Sequence, residues 1–155
     1  MNGVPPPGVL RLASHPFFEG MKGDLPQTLA PLAVERTYAF GDMLIREGDI
    51  ADRFVLIFEG KVALEIVLPD RPRVTIQTLG GGEVLGWSWL LPPPEWWLDA
   101  RAVKRTRCLE LPAAQLRTLL DARPEYGYQF LLRLLPVVAQ RLDHTRMQLM
   151  DLHGR

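Results

Sequence analysis

The chain has 155 residues, which is the length of one ordinary domain and too short for two. Its 18 Lys and Arg residues balance 18 Asp and Glu residues, which disfavours an autonomous nucleic-acid binder, because such proteins normally carry a basic excess or a basic face. The apolar fraction of 47% is typical of a globular chain, and no apolar run approaches the ~18 residues that span a bilayer, so we expect no membrane partner.

The first part of the chain predicts a lead-in followed by short helices. Residues 1–9 are rich in proline and glycine, lack the apolar stretch of a secretory signal, and are expected to be disordered. Residues 10–33 carry apolar residues at helical spacing, but glycines and prolines interrupt them, which predicts two short helical pieces.

The single cysteine, Cys108, excludes an internal disulfide and suits the reducing cytoplasm, which is the expected compartment.

Residues 34–111 have the pattern of a β-roll. Short runs rich in β-branched and aromatic residues, such as 54–58, 62–67 and 74–79, are separated by turns that contain glycine or proline. Many short strands punctuated in this way are typical of a β-sandwich or jelly roll. We therefore expect a mainly β fold with flanking helices.

Residues 112–155 return to helical patterns. Pro112 opens a short helix, and residues 124–152 predict one long helix in which Pro136 should introduce a kink or a break. Apolar residues on the long helix follow the alternating three- and four-residue spacing of a heptad seam. The seam includes Tyr128, Leu131, Leu135, Val138, Leu142 and Leu149.

This seam predicts the interface of a homodimer. Packing against the roll is the alternative role, but Phe130, Leu134 and Val137 lie off the seam and can fill that role for the first half of the helix. Beyond Leu142 the other faces of the helix are charged, so an apolar stripe there needs a partner. A second copy of the chain is the simplest partner, and an unknown protein is the alternative.

The elements follow one another as helices, a roll with glycine in its turns, a short helix and a long helix. This order resembles the cyclic nucleotide-binding domain, and more closely the sensory half of catabolite-activator-like bacterial regulators. The most specific stretches are residues 40–49 and 54–62, where Gly-Asp, Gly-Asp and Gly-x-Val pairs occur at the family's spacing. The resemblance implies a double-stranded β-helix, or jelly roll, with a long C-terminal helix. It also implies a non-catalytic sensor in which a ligand in the roll shifts that helix.

Regulators of the resembled family carry a DNA-reading helix-turn-helix after the long helix. This chain ends three residues after Leu152, so we expect no helix-turn-helix and no direct DNA binding.

In the resembled family a phosphate-binding cassette lies between two strands of the roll, and residues 82–101 match it here. Gly86 occupies the position of the family's glycine, but the position of the ribose-binding glutamate holds Trp87, which has no acceptor. The position of the phosphate-binding arginine holds Leu98, and Arg101 lies three residues too late. The cassette is therefore degenerate.

All four tryptophans of the chain lie between residues 87 and 97, and they leave two interpretations open. In one, the indoles fill the pocket and the domain is a ligand-free, dimeric interaction scaffold. In the other, they line an apolar pocket for a different, planar small molecule. Cyclic AMP or cyclic GMP remains the ligand implied by the resemblance, although the cassette disfavours both. Trp96 and Trp97 are adjacent, so only one can face inward on a strand.

The candidate ligand-binding residues are Glu83, Gly86, Trp87, Ser88, Trp89, Asp99 and Arg101.

Neither a catalytic site nor a metal site is indicated. The three histidines lie outside the roll, and no two of them have the spacing of metal ligands, which argues against a cupin-like centre. Cys108 is expected to be a packed strand residue, and no nucleophile can be placed beside a base. The basic stretch 101–107 predicts an exposed strand edge, with docking of an acidic partner as the alternative.

Overall fold

Two four-stranded antiparallel sheets enclose the hydrophobic core, in a computed structural model that describes residues 11–153. One sheet has the strand order β1-β8-β3-β6 and the other β2-β7-β4-β5. The strands are β1 (Val34–Tyr38), β2 (Met43–Ile45), β3 (Arg53–Glu59), β4 (Lys61–Ile66), β5 (Val74–Gly80), β6 (Val84–Leu85), β7 (Asp99–Ala102) and β8 (Thr106–Pro112). This confirms the predicted mainly β fold with flanking helices. The expected lead-in at residues 1–9 lies outside the described residues.

The N-terminal segment folds into more pieces than the sequence predicts. It contains the 3₁₀ turns Leu12–Ser14 and Pro16–Phe18, the helix α1 (Leu25–Leu29), and a third 3₁₀ turn, Ala30–Leu32. Three of these four pieces have a proline in their first turn, where proline favours the start of a helix. The same prolines interrupt any helix that would run through them, so the pieces stay short.

Two helices follow the roll, α2 (Ala113–Ala122) and α3 (Pro124–His153). Of the two outcomes expected at Pro136, a kink or a break, the break does not occur, because α3 continues through this residue. Proline removes the hydrogen bond to the carbonyl four residues earlier, which here belongs to Leu132. Leu132 is half exposed, so water can replace that bond. Among the helices of residues 11–153, none combines the length and the apolar character needed to cross a bilayer.

An aromatic cluster joins the N-terminal segment, the roll and α3. The ring centroids of Phe17 and Phe54 are 5.2 Å apart, those of Phe54 and Phe130 are 5.2 Å apart, and those of Phe17 and Phe130 are 5.0 Å apart. The ring of Phe17 meets those of Phe54 and Phe130 edge-on, and the rings of Phe54 and Phe130 are tilted to each other. Such aromatic contacts add to the stability gained from burial. Leu134 is also buried, and Val137 packs against the core. The prediction that these off-seam residues hold the first half of α3 to the roll is therefore confirmed.

Cys108 lies on β8 and is fully buried, which confirms that it is a packed strand residue. Burial, and to a smaller extent the charge of Glu110, raises the pKa of its thiol to about 12. The thiolate is the reactive form of cysteine, so this side chain is unreactive while the fold is intact.

We expect a chromogenic disulfide reagent at pH 8 to modify native Cys108 no faster than the protein unfolds. The same reagent should react at once with the protein in denaturant, because the unfolded thiol is exposed and has an ordinary pKa. The absorbance of the released thiolate measures both rates. Immediate labelling of the native protein would contradict the closed packing around β8.

Candidate functional site

The cassette region, residues 82–101, contains β6 and most of β7, and the segment between these two strands begins with a backbone bend at Gly86. This glycine has a φ of +103°, a conformation that other residues rarely adopt. A Cβ atom here would lie 2.9 Å from the carbonyl oxygen of Arg53 and 3.1 Å from a ring carbon of Trp96. Glycine is therefore required both for the bend and for the close approach of the Trp96 indole.

Two of the tryptophans belong to the hydrophobic core. Trp89 lies in the 3₁₀ turn Ser88–Leu90, and its indole N–H donates to the carbonyl of Gly86 at 2.6 Å. Its ring contacts Phe54 and Phe130, with centroids 6.2 and 6.0 Å apart. Trp96 is 3% exposed and lies under the guanidinium of Arg53, 5.9 Å from the ring centroid.

Of the other two tryptophans, Trp87 is partly buried and packs against the core, and Trp97 lies at the surface. Trp97 is 57% exposed, and its ring meets that of Trp87 edge-on, with centroids 4.7 Å apart. Trp96 is buried and Trp97 exposed, as predicted for an adjacent pair on a strand, although both residues lie before β7 and not on it. Backbone hydrogen bonds hold Trp96 inward, since its N–H donates to Asp49 at 2.9 Å and its carbonyl accepts from Gly48 at 2.9 Å.

The space left at the cassette is very small. A cavity of about 20 Å³ remains there, with room for about one water molecule, whereas pockets for small-molecule ligands measure roughly 300–1,000 Å³. Ser88 is buried beside it. The cavity is lined by Ile45, Leu85, Gly86, Trp87, Ser88, Trp96, Trp97, Leu98 and Arg141. Three of the four indoles therefore leave little space between them in the stretch that matches the family's cassette.

Arg101 and Asp99 lie in a charged network on the second sheet and do not line this cavity. Arg101 donates to both carboxylate oxygens of buried Glu65, at 3.1 and 3.0 Å. This hydrogen bonding raises the pKa of Arg101. Asp99 accepts from the backbone N–H of Glu47 at 2.8 Å and from the guanidinium of Arg73. The side chains of both predicted site residues are thus bonded to other residues of the same chain. The sequence analysis missed two of these, Glu65 and Arg73.

The carboxylate of Glu83, another predicted site residue, accepts from the N–H of Gly80 at 2.6 Å and caps the turn between β5 and β6. Within residues 11–153, no three His, Cys, Asp or Glu side chains come together in a way that could hold a metal ion.

Arg141, which the sequence analysis did not select, brings a charge to the inner side of α3. The side chain is buried, and its Nε and Nη2 atoms are enclosed without a hydrogen-bond partner. Burial lowers the pKa of its guanidinium to about 10, and the charge of Glu83 offsets part of that effect. Position 141 continues the three- and four-residue spacing of Phe130, Leu134 and Val137, which is the signal that could have identified it.

An apolar groove lies between the 3₁₀ turn of the cassette region and the two C-terminal helices. Its volume is about 930 Å³, and its lining includes Trp87, Leu90, Leu91, Tyr128, Leu131, Leu135 and Val138. Five seam residues are at least half exposed, namely Tyr128, Leu131, Leu135, Leu142 and Leu149, while Val138 is partly buried. The predicted dimer seam is therefore an uncovered apolar face, and its first half forms one wall of this groove.

The two four-stranded sheets and the spacing of the turns between their strands define a jelly-roll domain. The family model described as the cyclic nucleotide-binding domain matches residues 35–123. The chain belongs to this family.

Three similar proteins come from bacteria. The chain is 26% identical over 141 residues to the CRP-like cAMP-activated global transcriptional regulator of Mycobacterium tuberculosis, covering 91% of this chain and 61% of that protein. A Geobacter metallireducens structure described as a cyclic nucleotide-binding protein has a TM-score of 0.75 and 25% identity, with 85% of this chain and 96% of that one covered. The N-terminal domain of a Streptomyces coelicolor transcriptional regulator has a TM-score of 0.66 and 30% identity, with 89% and 94% covered. The chain thus spans about three fifths of the mycobacterial regulator.

Replacement of Gly86 by alanine tests the close packing in the cassette. We expect Gly86→Ala to lower the free energy of unfolding by about 1–3 kcal/mol more than Gly41→Ala. Gly41 also has a positive φ, +89°, but a Cβ there meets no atom within 4 Å, so its variant reports backbone strain alone. Urea unfolding followed by circular dichroism measures both losses. Equal losses would mean that the Trp96 indole is not packed on Gly86.

Proposed function

We propose that this chain is a non-catalytic regulatory module that forms a homodimer through α3, and that its roll controls the position of this helix. The observation that carries the proposal is the arrangement of α3. Its inner side packs on the roll through Phe130 and Leu134, and its outer side presents the apolar seam beside Trp87 of the cassette region. A change of conformation in the cassette region would therefore directly alter the neighbouring surface through which two copies of the chain meet.

The relatives support a regulatory role. The mycobacterial and Streptomyces proteins are described as transcriptional regulators, and a cytoplasmic location in a bacterium is part of the proposal. The single cysteine, buried as a free thiol, suits a reducing compartment.

The ligand proposed for this module is not cyclic AMP or cyclic GMP. A cavity of about 20 Å³ leaves no room for a nucleotide beside Gly86. Trp87 offers no acceptor to a ribose hydroxyl, and Arg101 is paired with Glu65. The small molecule that regulates the module in this proposal is therefore a different one.

A ligand-free scaffold is the second candidate function, and the filled cassette favours it. Both candidates share the α3 dimer. They differ in whether any small molecule stabilises the protein, because a regulatory ligand must bind one arrangement of the helix better than another. A screen of small molecules by thermal unfolding separates them.

Leu135→Glu tests the dimer. We expect wild-type protein at tens of micromolar to scatter light as a dimer and Leu135→Glu to scatter as a monomer, because a carboxylate between two apolar helix faces would be buried without a partner.

Val67→Glu is the matched control, since Val67 is also at least half exposed but lies in the loop after β4 and not on the seam of α3. This variant should remain a dimer. A monomeric wild type, or a Leu135→Glu variant that is still dimeric, would contradict the α3 interface.

A further inference from the structure

Arg141 is a buried cation that lacks the partner such a group requires. It is 6% exposed, and its Nε and Nη2 atoms have no hydrogen-bond partner. It takes part in none of the ion pairs found among the described residues. A guanidinium stays protonated near neutral pH and presents five N–H donors, so leaving it unpaired inside a protein is costly.

The guanidinium borders two cavities. One is the 20 Å³ space at the cassette, and the other is a cavity of about 200 Å³ on the inner side of α3. The larger cavity is lined by Pro16, Phe17, Leu79, Gly82, Glu83, Val84, Val137, Gln140 and Arg141. It has the volume of about six or seven molecules of liquid water, which is enough for a small polyatomic ion and too little for a nucleotide.

Glu83 lines the same cavity but does not neutralise Arg141. Its carboxylate is already bonded to the N–H of Gly80, and it forms no ion pair with the guanidinium. Its charge raises the pKa of Arg141, yet burial dominates and the pKa remains lowered, to about 10. A ligand in this cavity must therefore offer acceptor oxygens to Arg141. A hydroxyl donor would also suit Glu83.

We propose that Arg141 is the ligand-binding arginine of this chain and that the cavity beside it takes a small oxyanion that carries a hydroxyl group, of the hydrogen phosphate type. A tetrahedral oxyanion presents paired oxygens that match the guanidinium fork, and its hydroxyl can donate to Glu83.

The bound ion bridges α3 to the turn between β5 and β6. Without the ion, the unpaired charge of Arg141 disfavours close packing of this part of α3. With the ion, the same packing is stabilised. This consequence rests on the regulatory function proposed above, whereas binding of the ion does not.

The test is thermal unfolding in inorganic phosphate, in sulfate and in chloride at equal ionic strength, at pH 7. Sulfate is the matched control, because it stabilises proteins generally as phosphate does but carries no hydroxyl at this pH. We expect the Tm of the wild type to rise by about 3–5 °C for each tenfold increase of phosphate above its Kd, and to rise less in sulfate.

Arg141→Met is the informative variant. It should have a higher Tm than the wild type in chloride, because it removes an unpaired buried charge, and its Tm should respond equally to phosphate and sulfate. Arg146→Met removes an exposed arginine of the same helix and should behave as the wild type does. Equal effects of phosphate and sulfate on the wild type, or a phosphate effect that survives in Arg141→Met, would overturn the proposal.

Light scattering on the same samples separates this proposal from the proposed function. Arg141→Met should remain a dimer, because its side chain lies on the inner side of α3. A monomeric wild type that still responds to phosphate would overturn the proposed function alone. A dimer without a phosphate response would overturn the oxyanion site alone.

Discussion

The packing of the Trp96 ring against the backbone of Gly86 determines what the rest of the cassette region can do. Because Gly86 has no side chain, the indole of Trp96 and the carbonyl of Arg53 occupy space that a Cβ atom would need, 3.1 and 2.9 Å from its position. The carbonyl of Gly86 then accepts from the Trp89 indole, which belongs to the aromatic cluster under α3. A region that matches a ligand cassette in sequence position thus becomes part of the hydrophobic core, and it joins the roll to α3.

This packing changes where a charged ligand can be recognised. The position of the family's arginine is apolar Leu98, and Arg101 is used by Glu65 to connect β4 and β7. Among the residues that line the inner cavities, the cation is Arg141 on α3. In the proposed mechanism, recognition therefore lies on the helix that also carries the dimer seam. In that mechanism the ligand and the partner copy both contact α3, so no further residues are needed to transmit the effect of binding to the dimer interface.

The fold could be predicted from local signals, because strand runs and turn glycines report on residues close in sequence. The inward direction of Trp96 could not, since it depends on backbone bonds to Asp49 and Gly48. The pairing of Arg101 with Glu65 depends on the register of β4 and β7, which brings together residues 36 positions apart. Arg141 was missed because an arginine on a long helix is normally expected at the solvent-exposed surface, although its spacing from Phe130 and Leu134 places it on the inner stripe.

The most direct test of the filled cassette is an ¹⁵N spectrum of the four indole N–H groups, recorded with and without cyclic AMP. We expect the Trp89 indole proton, which is bonded to Gly86, to exchange slowly with solvent, and that of exposed Trp97 to exchange rapidly. All four signals should remain unchanged at millimolar cyclic AMP. Saturable shifts of the Trp89 and Trp96 signals would show that the cassette opens to a nucleotide, and would contradict the central claim.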